Sequence, residues 1–199
     1  MNNTSKNTLY PIFLKLHQLN LVIVGGGEIG FEKASFMLKN SPDAKIKLIA
    51  LHICEDIKEL AKKHINLVLE QRAFKKNDLL GVSMLVLATN NVKYDGAVVK
   101  HIAHKNGVLC NVADKPDLCD FYLGSIISRG DLKIAISTNG KSPTLAKRIR
   151  QYLEEALPDN TQDLIDNLNK IRDKLTGDFK SKVIALNEAT KTLSHSDKE

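Results

Sequence analysis

Tryptophan is absent from this 199-residue chain, and aromatic residues make up only 5% of it. Single-strand nucleic-acid binders stack bases on aromatic rings, so this scarcity argues against that class. No helix-turn-helix signature offers another route to nucleic acid. Cysteine is scarce too: Cys54, Cys110 and Cys119 are odd in number and form no CxxC pair. This argues against a disulfide framework or a four-cysteine zinc site and for reduced thiols in the cytoplasm. No apolar run approaches the ~20 residues that span a bilayer. The polar stretch Met1 to Thr8 has no apolar signal core. The expectation is a cytoplasmic protein with neither a membrane nor a nucleic-acid partner.

The chain does have enough apolar residues for a real core, 43% hydrophobic against 26% charged. At about 150 residues per domain its length suggests one domain with an appendage, or two small ones. The net charge of +6 attracts polyanions, whether nucleic acid, phosphate or a multiply carboxylated metabolite, without choosing among them.

Short branched runs alternate with helical patterns up to Asp114. Leu21–Val24, Ile46–Ala50, Leu67–Leu69, Met84–Ala88 and Val108–Val112 read as strands. Their lack of polar alternation suits strands buried on both faces. Helical patterns over 28–40, 55–64 and 92–105, with a helical turn at 78–80, separate them and predict a doubly wound parallel sheet. The texture then changes. Phe121–Ser128 and Asp131–Ser137 predict a hairpin turning at Arg129-Gly130. Ser142-Pro143 predicts a helix start, with Ser142 as cap and Pro143 at the first helical position. That helix runs to about Leu157, and two more, broken near Gly177, precede a polar tail at 194–199.

Gly25-Gly26-Gly27-Glu28-Ile29-Gly30 satisfies GxGxxG directly after a strand and at the start of a helix. Gly25 suits the tight turn, Gly27 admits a pyrophosphate to the backbone, and Gly30 lets helix and strand approach. The alternative is a glycine turn that only packs. The acidic residue expected after the second strand, to hold a ribose hydroxyl, is missing; Leu51-His52 stand there. No basic cluster welcomes a 2′-phosphate either, so NAD is modestly favoured over NADP. His52 is either a ribose contact or a solvent-facing loop residue.

Asp114 follows the fifth strand, where ligands of open parallel sheets lie. It reads as a general base or as a turn cap ahead of Lys115-Pro116. Asn139-Gly140-Lys141-Ser142 fails as a phosphate loop because residue 135 is Ala135. There remains a helix N-terminus beside Lys141, either an anion site or a plain helix start. His101 and His104 are read as a solvated pair with no third metal ligand. Lys147, Arg148 and Arg150 are read as a solvated face or, more sharply, a carboxylate-binding one. No metal site is expected.

Several segments together resemble one family. They are Tyr10-Pro11-Ile12-Phe13, Val22–Gly27 through Glu32-Lys33-Ala34, Cys110–Asp114, Ser125-Ile126-Ile127 and Ile136–Pro143. In this order, across about residues 9–158, the chain is similar to the precorrin-2 dehydrogenase / sirohydrochlorin ferrochelatase family, the N-terminal half of siroheme synthase. The resemblance implies a Rossmann-like sheet over 1–114, a hairpin dimerisation and substrate region over 115–157, and C-terminal helices over 158–199. It implies NAD-dependent oxidation of precorrin-2 to sirohydrochlorin by a homodimer, with ferrous iron as a further substrate in some members.

The family's functional aspartate falls on Asp114, and its NAD contacts fall on Glu28, Ile29, Leu51 and His52, with Thr89 a further candidate. A substrate rich in carboxylates suits a basic chain and a substrate-binding helix start at Asn139, Lys141 and Ser142. The chain departs from the family's usual pattern at Gly30, commonly Ala, at Glu32, usually Arg, and at Gly124, commonly Pro. The resemblance includes no methyltransferase domain, so methylation is expected of a separate protein. The competing class is a regulatory module that senses NAD without catalysis.

Overall fold

A computed structural model describes residues 7–89 and 95–191. The chain forms two compact units by its contacts: residues up to Gly124 together with Ser137–Pro143, and Ser125–Ile136 together with Thr144 onward.

The first unit is an open parallel sheet. Its strands are β1 (Asn20–Val24), β2 (Lys45–Ala50), β3 (Leu67–Gln71), β4 (Met84–Leu87) and β5 (Leu109–Val112), in the order β3-β2-β1-β4-β5. The predicted doubly wound topology is the one observed. Alternate β1 residues enter two separate cores, Leu21 and Ile23 on one face, Val22 and Val24 on the other. This explains a strand with no polar alternation. Helices α1 (Glu28–Asn40) and α2 (Glu55–Lys63) cover the first face through Ala34, Met37, Leu38 and Ile57. Helix α3 (Gly96–Lys105) covers part of the second through Val99 and Ala103. The expected start of that helix at 92 lies outside the described residues.

Most boundaries shift by a residue or two, and two of the differences have a clear cause. Strand β3 continues to Gln71 because Glu70 and Gln71 keep pairing with Ile49 and Ala50, and Glu70 meets Lys47 at 3.1 Å. The hairpin's first strand begins only at Ser125. Phe121 and Leu123 pack instead against the first unit's core, and the Phe121 carbonyl accepts from Asn111 Nδ2 at 2.8 Å. Hydrophobic content made 121–124 look like strand; tertiary packing captured them.

In the second unit β6 (Ser125–Arg129) pairs antiparallel with β7 (Leu132–Ile136). The turn is Gly130-Asp131, one residue later than predicted, with Gly130 at φ +57°. Helices α4 (Pro143–Ala156), α5 (Thr161–Lys174) and α6 (Phe179–Ala189) follow, with the expected break around Gly177. Gln162 of α5 grips the hairpin turn. Its Oε1 accepts from the Asp131 amide at 2.7 Å, and its Nε2 donates to the Asp131 carboxylate at 3.1 Å. An added Cβ at Gly130 would lie 1.9 Å from that same oxygen. Gln162→Ala is expected to lower stability by about 1 kcal/mol, the ordinary worth of such a bond. A denaturation midpoint that does not move would show that α5 holds the turn by other contacts.

Candidate nucleotide and substrate site

The glycine loop threads between two strand ends. Gly25 adopts φ +132°, and its amide donates to the Ile49 carbonyl at 3.0 Å. A Cβ there would lie 2.2 Å from the Ala88 carbonyl oxygen, so β4 passes against it. A Cβ at Gly26 would lie 2.1 Å from the His52 carbonyl oxygen and 2.8 Å from the Ala50 Cβ. Cys54 locks that approach by donating its amide to the Gly26 carbonyl at 2.8 Å. At Gly30 a Cβ would meet the Gly25 carbonyl at 2.1 Å. Glycine therefore admits here an approach of helix to loop that any side chain would oblige to open.

Gly27 differs from its neighbours: nothing lies within 4 Å of a Cβ added there. It precedes α1 in extended conformation, and no side chain caps the helix. The first amides of α1, from Glu28 and Ile29, therefore have no intrahelical acceptor and sit at the positive end of the helix dipole. They face the requirement of a pyrophosphate, which is negative charge with several acceptors. A cleft of about 210 Å³ opens here, lined by Val24 to Gly27, Ile49 to His52, Phe74 and Thr89. It lies at the carboxyl ends of β1, β2 and β4, where the strand order reverses. The residues present thus fit a dinucleotide: an open backbone approach, uncapped amides, and an apolar and aromatic wall.

Of the candidate cofactor residues, Gly25, Gly27, Leu51, His52 and Thr89 share this cleft, and Glu28, Ile29 and Gly30 form the first turn of α1. Sequence reasoning missed Gly26 and Phe74. The glycine between the two motif glycines was a signal for the former. Phe74 had none, because its segment reaches the cleft only through the fold.

Asp114 is exposed at the end of β5 and takes φ +60°, left-handed backbone for a residue with a side chain. The turn around it closes through the Lys115 amide and Val112 carbonyl at 3.2 Å. Asp120 anchors the returning segment. Its carboxylate accepts from the Cys110 amide at 2.8 Å and meets His104 Nε2 at 2.7 Å and Lys100 Nζ at 3.2 Å. Burial pushes this carboxyl up, but His104, the Cys110 amide and Lys100 outweigh it and hold it below the ordinary carboxylate value. Burial, with Asp120 nearby, pushes the Cys110 thiol up to about 12. His101 and His104 are both exposed, as expected, and His104 in addition meets Asp120. No group of three metal-ligating side chains occurs among the described residues.

The Ser137–Pro143 segment belongs to the same unit as the cleft and Asp114. Asn139 is left-handed at φ +55° and Gly140 at φ +74°. The Asn139 amide donates to Ser137 Oγ at 3.2 Å, and the Ser142 amide to Thr138 Oγ1 at 3.1 Å. Lys141 closes the turn by donating its amide to the Thr138 carbonyl at 3.1 Å. This turn leads into α4, where Arg150 pairs with Glu154 at 2.6 Å.

Comparison with known proteins shows the family. A family model of NAD(P)-binding proteins matches residues 12–125, and one for the central region of sirohaem biosynthesis proteins matches 129–156. The siroheme synthase of Ruthia magnifica subsp. Calyptogena magnifica is 34% identical over 169 residues, 85% of this chain and 35% of the relative. That of Methylococcus capsulatus is 37% identical over 148 residues, 74% of this chain and 30% of the relative. The chain thus spans about a third of the length of the curated relatives it matches. The solved structure of SirC, a precorrin-2 dehydrogenase, superposes with a TM-score of 0.69 at 29% identity, covering 94% of this chain and 93% of that one.

Proposed function

This chain belongs to the NAD(P)-binding siroheme-biosynthesis family that includes the precorrin-2 dehydrogenases, and from that premise we propose that it oxidises precorrin-2 to sirohydrochlorin with NAD. The observation that carries the reading is a cleft beside the uncapped amides of α1 and an exposed carboxylate, both at the carboxyl ends of one parallel sheet. When bound, NAD accepts the hydride that the macrocycle loses. The chain supplies the rest. The Glu28 and Ile29 amides hold the pyrophosphate, Leu51 and His52 border the adenosine, and Thr89 lies at the end of β4 beside the loop. Asp114 takes the accompanying proton, so two electrons and two hydrogens leave the substrate as a hydride and a proton. The substrate's carboxylates are bound at this turn by Lys141, with Asn139 and Ser142 on either side of it.

Ferrous iron is a second substrate in this reading, with Asp114 accepting pyrrole protons as the metal enters the macrocycle. NAD is preferred over NADP because Leu51-His52 offers no cation for a 2′-phosphate. The active species is a homodimer formed through the 115–157 region. Its support is the row of apolar side chains on α4, where Leu145, Ile149 and Tyr152 are 51%, 36% and 70% exposed. The reaction belongs to the cytoplasm, whose reducing conditions suit three free cysteines. No described helix is long and apolar enough to cross a membrane.

The test is an anaerobic incubation with precorrin-2 and NAD, read as NADH formation and the sirohydrochlorin spectrum, followed by ferrous iron. Turnover is expected, and enzyme-accelerated loss of the sirohydrochlorin spectrum on adding iron would establish chelation. NAD binding without NADH formation would overturn the reading in favour of a nucleotide-sensing module.

A further inference from the structure

Strand β5 is an edge strand, so half its backbone donors and acceptors face away from β4 and need partners from elsewhere. The segment returning after the 3-10 turn Pro116–Leu118 supplies them. Asp120 serves Cys110 from both its backbone and its side chain: its amide donates to the Cys110 carbonyl at 2.7 Å, and its carboxylate accepts the Cys110 amide. Cys119 serves Val112. Its sulfur accepts the Val112 amide at 3.3 Å and lies 3.3 Å from the Val112 carbonyl oxygen and 3.4 Å from that of Lys115, so its one proton donates to either carbonyl. Asn111 Nδ2 also reaches the sulfur, at 3.5 Å.

Val112 and Lys115 are the two ends of the turn that holds Asp114 at φ +60°. Left-handed backbone at a residue with a side chain is unfavourable and persists only where its surroundings over-determine it. One thiol touches both ends of this turn. A methyl group could touch neither carbonyl as a donor, and a larger apolar side chain would leave the outward Val112 amide unpaired.

We infer that Cys119 is the positioning residue for Asp114: its thiol ties Val112 to Lys115 and so fixes where the Asp114 carboxylate stands. This rests on the reading of Asp114 as the proton acceptor. It deepens that reading by naming a residue that touches neither substrate nor nucleotide. A hydroxyl can make the same donor and acceptor contacts from a slightly shorter bond, so serine should substitute in part.

The experiment compares Cys119→Ala, Cys119→Ser, Asp114→Ala and the Cys119→Ala/Asp114→Ala double variant in anaerobic precorrin-2 oxidation, with amide hydrogen exchange on each protein. Cys119→Ala is expected to lower kcat by about 10- to 100-fold, the cost of a misplaced catalytic group. The KM for NAD should stay within about twofold, since the glycine loop is untouched. Cys119→Ser should recover most of the rate, and exchange at the Val112 and Lys115 amides should quicken in Cys119→Ala. The double variant should be no slower than Asp114→Ala alone, because both act through one carboxylate.

If Asp114→Ala keeps wild-type turnover, the base role falls. If Asp114→Ala is impaired while Cys119→Ala keeps full kcat, the positioning role alone falls. Serine no better than alanine, a further loss in the double variant, or unchanged exchange at Val112 and Lys115 also overturns the inference.

Discussion

Asp114→Gly is expected to abolish precorrin-2 oxidation while leaving the protein at least as stable as the wild type. Two opposed demands meet at this residue. The backbone at φ +60° suits glycine, which enters the left-handed region without the steric cost borne by a residue with a Cβ. The proposed chemistry needs a carboxylate, and loss of a positioned general base costs about 10²- to 10⁴-fold in rate. Asp114→Ala should lose the same activity and in addition be about 1 kcal/mol less stable than Asp114→Gly, since alanine keeps the steric penalty without aspartate's local hydrogen bonding. Asp114→Asn should fold like the wild type, asparagine tolerating this conformation well, and still be inactive. The three melting temperatures and NADH rates check the whole pattern. A glycine variant less stable than the alanine one would show that the turn is not strained, and an active asparagine variant would show that the carboxylate carries no proton.

The middle glycines should separate folding from nucleotide binding. Gly26→Ala places a methyl carbon 2.1 Å from the His52 carbonyl oxygen and 2.8 Å from the Ala50 Cβ. The closest of these is backbone atoms of the β2–α2 connection, held in turn by the Cys54 amide on the Gly26 carbonyl, so the strain cannot be relieved by rotating a side chain. A loss of roughly 3 kcal/mol or more is expected, at the upper end of what overpacking causes. NAD binding should fall with it. Gly27→Ala meets nothing within 4 Å and should melt with the wild type. Its methyl group occupies the space through which a pyrophosphate approaches the backbone, so NAD affinity should still drop by about tenfold or more. Thermal melts with and without NAD distinguish the two: Gly26→Ala shifts the apo melt, and Gly27→Ala shifts only the stabilisation that NAD confers. Wild-type NAD stabilisation in Gly27→Ala would place the pyrophosphate elsewhere.

The parallel sheet was legible because its information is local. Leu21–Val24 is a run of branched residues with no polar member, and a glycine motif follows it at once; strand, turn and helix start lie within about ten residues. Asp114 was legible as a candidate for the same reason, standing just past the end of a strand. The misplaced hairpin start shows the limit of such reading. Phe121 and Leu123 have strand-like character, but their partners are the first unit's core and Asn111, so local pattern could not tell which sheet, if either, would take them. The contact of the exposed His104 with Asp120 was not legible, because that partner lies sixteen positions away with no periodic relation to it.

Sequence by itself determined the succession of strands and helices, the glycine loop at the end of the first strand and the carboxylate just past the end of the fifth, since each depends on neighbours a few residues apart and on a side-chain period. Only the tertiary structure decided which glycine is closed off and which is open, that Phe74 walls the cleft, and that a cysteine thiol clasps the turn carrying Asp114. Those are distances between backbone and side-chain atoms brought together by folding, and they are set by packing that no local pattern records.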